Sequence, residues 1–255
     1  MTQGQRYGKP PIEEAVCELR FKSDQDWDFT VPGRLYTKLE NEYPGKPRDQ
    51  KAVAIGLDIQ EGGPANMKYN EGLVGVQLLS KNQKRMVGVG PNRLTIHMLK
   101  PYQDPDIEID GWEDFKSRIE VALNTYWDVA KPEGICRVGI RYINKIIIPE
   151  QEADIKEYFQ ITFPNVEELP KKLTRFVNQV EYDYEDDVCL ILSQGYADVS
   201  QERSRELLLD LDVIWSPHEP VPQKRALAMT DVLHSREIEA FEAIITDKTR
   251  ELFHV

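Results

Sequence analysis

The chain has 255 residues, of which 40% are hydrophobic and 30% are charged. This length suffices for one large domain or two smaller ones, and the composition is typical of globular proteins, which excludes disordered and fibrous classes. The formal net charge of −12 disfavours general binding to nucleic acid, because an acidic protein repels a phosphate backbone at long range. The same electrostatic field would attract a basic protein partner.

The cysteines and the N-terminal residues predict a cytoplasmic protein. Cys17, Cys136 and Cys189 are an odd number without CxxC spacing, and each lies in an apolar stretch, so we expect buried, reduced thiols. Residues 1–10 contain no apolar signal-peptide core. No stretch approaches the roughly 18 apolar residues that span a bilayer, so we expect no membrane contact.

The first part of the chain predicts strands joined by short turns. The strand that follows Pro10-Pro11 places Glu18 and Arg20 on one side and Cys17 and Leu19 on the other. A short helix is predicted over residues 32–43. Further strands, which short turns arrange as an antiparallel meander, are predicted over residues 53–60, 75–79, 85–89 and 93–99.

The basic stretch Lys81–Arg85 lies between two of these strands. It predicts a hairpin tip with solvated charges rather than a nucleic-acid contact. An amphipathic helix is then predicted over residues 112–130, from apolar residues at steps of three and four.

The longest run typical of a strand extends from Cys136 to Pro149 and follows this helix. Period-two alternation places Arg137 and Arg141 on one face and apolar side chains on the other. A guanidinium group on a strand suits recognition of carboxylate or phosphate through paired hydrogen bonds. The alternative is that both arginines pair with carboxylates on neighbouring strands of a solvated face.

The second part of the chain predicts an acidic, partly helical segment and then three strands. The segment begins after residue 149, and its apolar side is Ile155, Tyr158 and Phe159. The strands are predicted over residues 176–184, 188–194 and 206–215. The last thirty residues predict a helix, with an apolar side that contains Ile238, Phe241, Ile245 and Leu252.

This order of elements predicts an α+β fold with antiparallel sheets and long amphipathic helices, since single helices after runs of strands do not suit a parallel sheet. Two similar sheet-plus-helix halves are one interpretation. Residues 1–149 then form an N-terminal sheet with the helix over 112–130, and residues 150–255 form a three-stranded sheet with the C-terminal helix. One continuous domain with a single curved sheet is the alternative.

No complete catalytic or metal-binding template is present. The four histidines are far apart in sequence, and none belongs to a zinc motif or a Cys/His cluster. His97 is predicted to be a strand histidine with a local partner. His234 is predicted to lie at the entrance of the last helix.

The candidate site is therefore a set of charges on strand faces. Asp210 and Asp212 are two residues apart and share a face. If their strand neighbours the other charged strands, an open sheet would hold cross-strand ion pairs. An enclosed, barrel-like cavity could instead bind a divalent cation through these aspartates and an anionic phosphate through the basic side chains. The candidate ligand-binding residues are Glu18, Arg20, Arg137 and Arg141.

Three segments resemble a sporadically distributed, uncharacterised family of bacterial and archaeal proteins. They are Pro10–Phe21, Arg137–Asn144 and the C-terminal residues Leu233, His234, Phe241, Glu242, Ile245 and Thr246. The resemblance spans nearly the whole chain. It implies no catalytic residue, and its patchy distribution is typical of mobile elements, toxin–antitoxin pairs and phage-defence loci.

Two functional hypotheses follow. The first is a non-enzymatic cytoplasmic protein without a cofactor, which binds a protein partner of basic character, or a second copy of itself, as a regulatory part of a mobile defence or toxin–antitoxin-like module. The alternative is a phosphate- or nucleotide-handling enzyme or sensor, with or without a divalent cation.

Overall fold

The computed structural model describes residues 7–24, 26–58, 66–102, 111–149, 155–160, 176–197 and 205–254. Within these ranges it confirms the α+β class, because nine antiparallel strands form one sheet and helices pack on it. The strands are β1 (Ile12–Lys22), β2 (Gly45–Asp58), β3 (Asn66–Leu79), β4 (Arg85–Gly90), β5 (Arg93–Leu99), β6 (Gly134–Ile148), β7 (Phe176–Tyr184), β8 (Val188–Ala197) and β9 (Arg205–Trp215). The helices are α1 (Val31–Leu39), α2 (Gly111–Ala130), α3 (Gln223–Ile244) and α4 (Asp247–Glu251).

The order of strands in the sheet is β2-β3-β4-β5-β1-β6-β9-β8-β7. The strand predicted from the longest apolar run, β6, therefore lies near the middle. β1 to β5 with α2 form one part of the chain, and β6 to β9 with α3 form the other. In each part the first strand pairs with the last strand, and a long helix follows. β1 and β6 join the two parts as an antiparallel pair, with Glu18 opposite Gly139.

The two faces of the sheet follow from the alternation predicted for β1 and β6. Cys17 and Leu19 of β1 and Val138 and Ile140 of β6 are fully buried. The helical layer covers this apolar face, since α3 packs on β6 and β9 while α2 packs on β5. Burial of each such large apolar side chain contributes roughly 1.5–3 kcal/mol, so the helices fix which face of the sheet remains accessible.

The predicted C-terminal helix is interrupted. α3 ends at Ile244, and Ile245 adopts an extended conformation in which it pairs with Phe159. The amide of Thr246 then donates a hydrogen bond of 3.0 Å to the carbonyl oxygen of Tyr158. Residues 245 and 246 therefore pair with the segment around residues 155–160 instead of continuing α3. The short helix α4 follows.

Two smaller predictions need correction. Arg85, expected at a solvated hairpin tip, is only 7% exposed, because its guanidinium donates to the carbonyl oxygens of Leu99 and Pro101 and lies 3.6 Å from Asp114. All three cysteines are free thiols, but only Cys17 is buried, whereas Cys136 and Cys189 are half-buried.

Residues 161–175, part of the predicted acidic segment, lie outside the described residues. In the described part of the chain, no helix is long and apolar enough to cross a membrane.

Candidate binding face

The structure brings the six predicted site residues together on the face of the sheet opposite the helices. This happens because β1, β6 and β9 are adjacent, and the register places Arg20 opposite Arg137 and Arg141 opposite Asp212. We call this side of the sheet the charged face. Its predicted members are Glu18, Arg20, Arg137, Arg141, Asp210 and Asp212.

Arg141 and Asp210 form a two-pronged ion pair. The Nε and Nη2 atoms of Arg141 donate to the two carboxylate oxygens of Asp210, at 2.8 and 2.5 Å. This hydrogen bonding raises the pKa of Arg141 above its usual value. Both partners are therefore satisfied within the protein, as the solvated-face alternative predicted for Arg141.

Asp212, also on the charged face, does not form a two-pronged ion pair of this kind. Burial raises its pKa to about 6, although the neighbouring Arg137 and Arg141 act in the opposite direction. No hydrogen bond joins Asp212 to another side chain among the described residues. Gly139 leaves room for it, since a Cβ at that position would lie 3.4 Å from Oδ1 of Asp212. Asp212 therefore keeps unused hydrogen-bond acceptor capacity on the charged face.

Three arginines lie side by side across three neighbouring strands. Arg93 on β5, Arg20 on β1 and Arg137 on β6 occupy directly opposite positions, and we call them the arginine row. One carboxylate, Glu18, serves all three: it accepts hydrogen bonds from Arg20 at 2.8 Å and Arg137 at 2.7 Å, and lies 4.0 Å from Arg93. The sequence analysis did not include Arg93, because the neighbour of β5 was unknown.

Exposed apolar side chains occupy the other end of this face. Val177 on β7 is 76% exposed, Leu208 on β9 is 47% exposed and Ile147 on β6 is 53% exposed. The register places Val177 and Leu208 in one cross-strand row with Gly195 of β8 between them, and Lys145 of β6 continues the row next to Leu208. We call these three residues the apolar strip.

Carboxylates lie farther along the same face of β7 and β9, four to six residues from the apolar strip. Glu181 and Asp183 are exposed on β7, and Ile191 of β8 lies between Glu181 and Asp212. On this face β7 and β9 present acidic side chains, and β7, β8 and β9 present no lysine or arginine within the described residues. We call the set of Glu181, Asp183 and Asp212 the acidic margin.

The arrangement does not fit a divalent cation at Asp210 and Asp212. A metal ion of this class needs several oxygen ligands, yet both oxygens of Asp210 bind Arg141. Over the residues that the structure describes, no group of three or more histidine, cysteine, aspartate or glutamate side chains could hold a metal ion.

Both histidines singled out in the sequence have partners. His97 lies 2.8 Å from Glu14 and 2.9 Å from the hydroxyl of Thr95, which confirms a strand histidine with local partners. The prediction for His234 was wrong, because it lies inside α3 rather than at a helix entrance. Its ring stacks on Trp112 and its Nδ1 atom lies 3.1 Å from the hydroxyl of Tyr142, so it belongs to the contact between helices and sheet.

Comparison with protein-family models and with curated proteins gives no match. The resemblance to a sporadically distributed family therefore stays a prediction. The structure itself defines an α+β protein with one helix-covered sheet face and one charged face.

Proposed function

We propose that the protein acts by binding a basic protein partner on its charged face, at the apolar strip and the acidic margin. The observation that carries this proposal is the exposure of Val177, Leu208 and Ile147 on the sheet face that also presents the acidic margin. Apolar side chains on a sheet face are normally covered, as they are on the opposite face of this sheet.

The composition of the surface specifies the partner. Val177, Leu208 and Ile147 would be buried by apolar side chains, and each would add roughly 1–2 kcal/mol of hydrophobic stabilisation, because part of each side chain is already covered in the free protein. The acidic margin favours lysine or arginine at the border of such an interface, which speeds encounter and disfavours acidic competitors. A second copy of this chain fits less well, because its net charge is also −12.

The proposal also covers the cellular compartment of the interaction and the origin of the partner. Reduced thiols at Cys17, Cys136 and Cys189 suit the cytoplasm. The patchy distribution implied by the family resemblance favours a partner encoded nearby, as in a mobile defence or toxin–antitoxin-like module. A role as a neutralising or regulatory subunit without catalysis fits such a module.

The alternative of an enzyme or sensor with an enclosed cavity has less support. β2 and β7 stand at opposite ends of the strand order, so the described strands do not close into a barrel. Arg141 and Asp210 satisfy each other. The arginine row is the part of the face where phosphate chemistry still fits.

Co-purification from the native host tests the proposal. We expect the tagged chain to retain a basic protein, to lose it as salt rises, and to lose it in the variant Leu208→Lys, which replaces an apolar contact by a repelling charge. Phe29→Lys is the matched control, because Phe29 is 87% exposed but lies just before α1.

The control should retain the partner as wild type does. Capture of the same proteins by Leu208→Lys and wild type would contradict the proposal. Recovery of the chain alone, or only of further copies of itself, would contradict it equally.

A further inference from the structure

β7 forms one edge of the sheet. Among the strands that the structure describes, it stands at the end of the strand order and pairs only with β8, through nine consecutive residue pairs. The backbone N–H and C=O groups that an edge strand directs away from its neighbour are not used by the sheet. Such a strand is therefore a template for pairing with a further strand.

The opposite edge, β2, carries features that normally prevent such pairing. Its register with β3 shifts at two places within residues 45–51. It also contains an exposed lysine, Lys46, and Pro47, which has no N–H group to donate. β7 contains neither lysine nor proline, and its register with β8 is unbroken. Of the two edges, β7 is therefore the one suited to pairing with a further strand.

The side chains of β7 on the charged face specify what a further strand would carry. Val177, Gln179, Glu181 and Asp183 are exposed there at alternate positions. Within the described residues, neither Glu181 nor Asp183 forms an ion pair with lysine or arginine. Glu181 contacts the thiol of Cys189, a neutral group that leaves the carboxylate charge in place. Basic side chains opposite the two carboxylates and an apolar one opposite Val177 would therefore stabilise an added strand.

From this geometry we infer that the basic partner binds by adding an antiparallel strand to β7, so that the sheet continues into the partner. Main-chain hydrogen bonds supply affinity in this mode of binding, and alternate side chains supply specificity. The register defines the pattern of the added strand from its N-terminus. A basic residue is followed two positions later by a second basic residue and four positions after that by an apolar residue.

The inference rests on the proposed function, because it specifies how the basic partner is held on the charged face. A second copy of this chain fits the edge less well, since β7 itself has carboxylates and no basic side chain.

Fluorescence anisotropy with a labelled synthetic peptide of this pattern, Thr-Lys-Thr-Lys-Thr-Thr-Thr-Val-Thr, tests the inference. We expect saturable binding that weakens as salt rises, and no binding of a peptide with glutamate in place of both lysines. Two further peptides carry N-methyl groups on alternate residues, one peptide at the odd positions and the other at the even positions. Because a strand directs its N–H groups alternately to its two sides, only one of these peptides should lose binding.

The variant Glu181→Lys should weaken peptide binding roughly fivefold or more, because it replaces a cross-strand attraction by a repulsion. Glu40→Lys is the matched control, since Glu40 is an exposed carboxylate at the end of α1 and should not affect the peptide. Both substitutions are at exposed positions, so both variants should fold.

Absence of saturable binding by the folded protein, or equal effects of the two N-methylated peptides, would overturn the inference. A dimer of the chain alone that Glu181→Lys abolishes would assign this edge to a second copy and overturn it as well. Co-purification with the Leu208→Lys variant tests the proposed function separately. If a basic partner is captured in that experiment while the peptide test fails, partner binding stands and strand addition is wrong.

Discussion

Asp212 occupies a position where burial disfavours its charge more than the neighbouring arginines favour it. Its neighbours Arg137 and Arg141 each bind another carboxylate, Glu18 and Asp210 respectively. Burial therefore dominates and raises the pKa of Asp212 to about 6. A charge that is costly in the free protein is reasonable if a ligand or partner compensates it.

The variant Asp212→Asn should be more stable than wild type at pH 7. The unfolded chain releases this proton near pH 4 and the folded chain near pH 6, so between these values the folded state binds more protons and stability falls as pH rises. The shift corresponds to about 1.4 kcal/mol per pKa unit, or on the order of 2–3 kcal/mol at pH 7. The advantage should shrink toward pH 4, as measured by urea unfolding.

Asp210→Asn is the matched control and should do the reverse at pH 7. It removes a carboxylate that accepts two hydrogen bonds from Arg141, so it should lower the free energy of unfolding. If Asp212→Asn destabilised the protein as much as Asp210→Asn, the view of Asp212 as a strained charge would be wrong.

At the scale of the elements, the face on which a side chain lies can be predicted from local sequence, whereas the adjacency of strands cannot. Alternation along β1 and β6 predicted both faces correctly except at Cys136, because the side-chain direction of a regular strand depends on its own sequence and the pairing of β1 with β6 is irregular there. The adjacency of β1, β6 and β9 is a long-range property, so the sequence could only state it as a condition. Arg93 was missed for the same reason.

The apolar strip could not be predicted because both strands that carry most of it are apolar on either side. Ile147 lies between Ile146 and Ile148, and Leu208 lies between Leu207 and Leu209. Such runs are typical of strands buried on both faces. Only the helical layer, which buries the flanking residues, decides that Ile147 and Leu208 are exposed.

Substitution of two glycines by alanine tests how closely the elements pack, because the space around the two positions differs. A Cβ at position 75 in β3 would overlap the carbonyl oxygen of Val89 in β4, so Gly75→Ala should force these strands apart. We expect a loss of roughly 1–3 kcal/mol in the free energy of unfolding. Gly33→Ala in α1 is the control, because a Cβ there meets nothing within 4 Å and alanine should stabilise the helix by about 0.5–1 kcal/mol.

Thermal and urea unfolding of both variants give the comparison. Equal stability of the two alanine variants would contradict the described pairing of β3 with β4.

At the scale of the whole molecule, the two faces of one continuous sheet have different roles. The helices complete the core on one face, and the other face presents fixed charges and exposed apolar groups on β-strands. Strands hold side chains in defined positions, so this face is organised before any ligand arrives. The arginine row and the apolar strip lie toward opposite ends of it.

The most direct test of the central claim is photo-crosslinking in the native host. A photoreactive residue at position 177 lies in the apolar strip, and the same residue at position 29 is at least as accessible but lies beside α1. The proposal predicts a covalent adduct with a basic protein from position 177 and not from position 29. No adduct from position 177, or the same adducts from both positions, would contradict it.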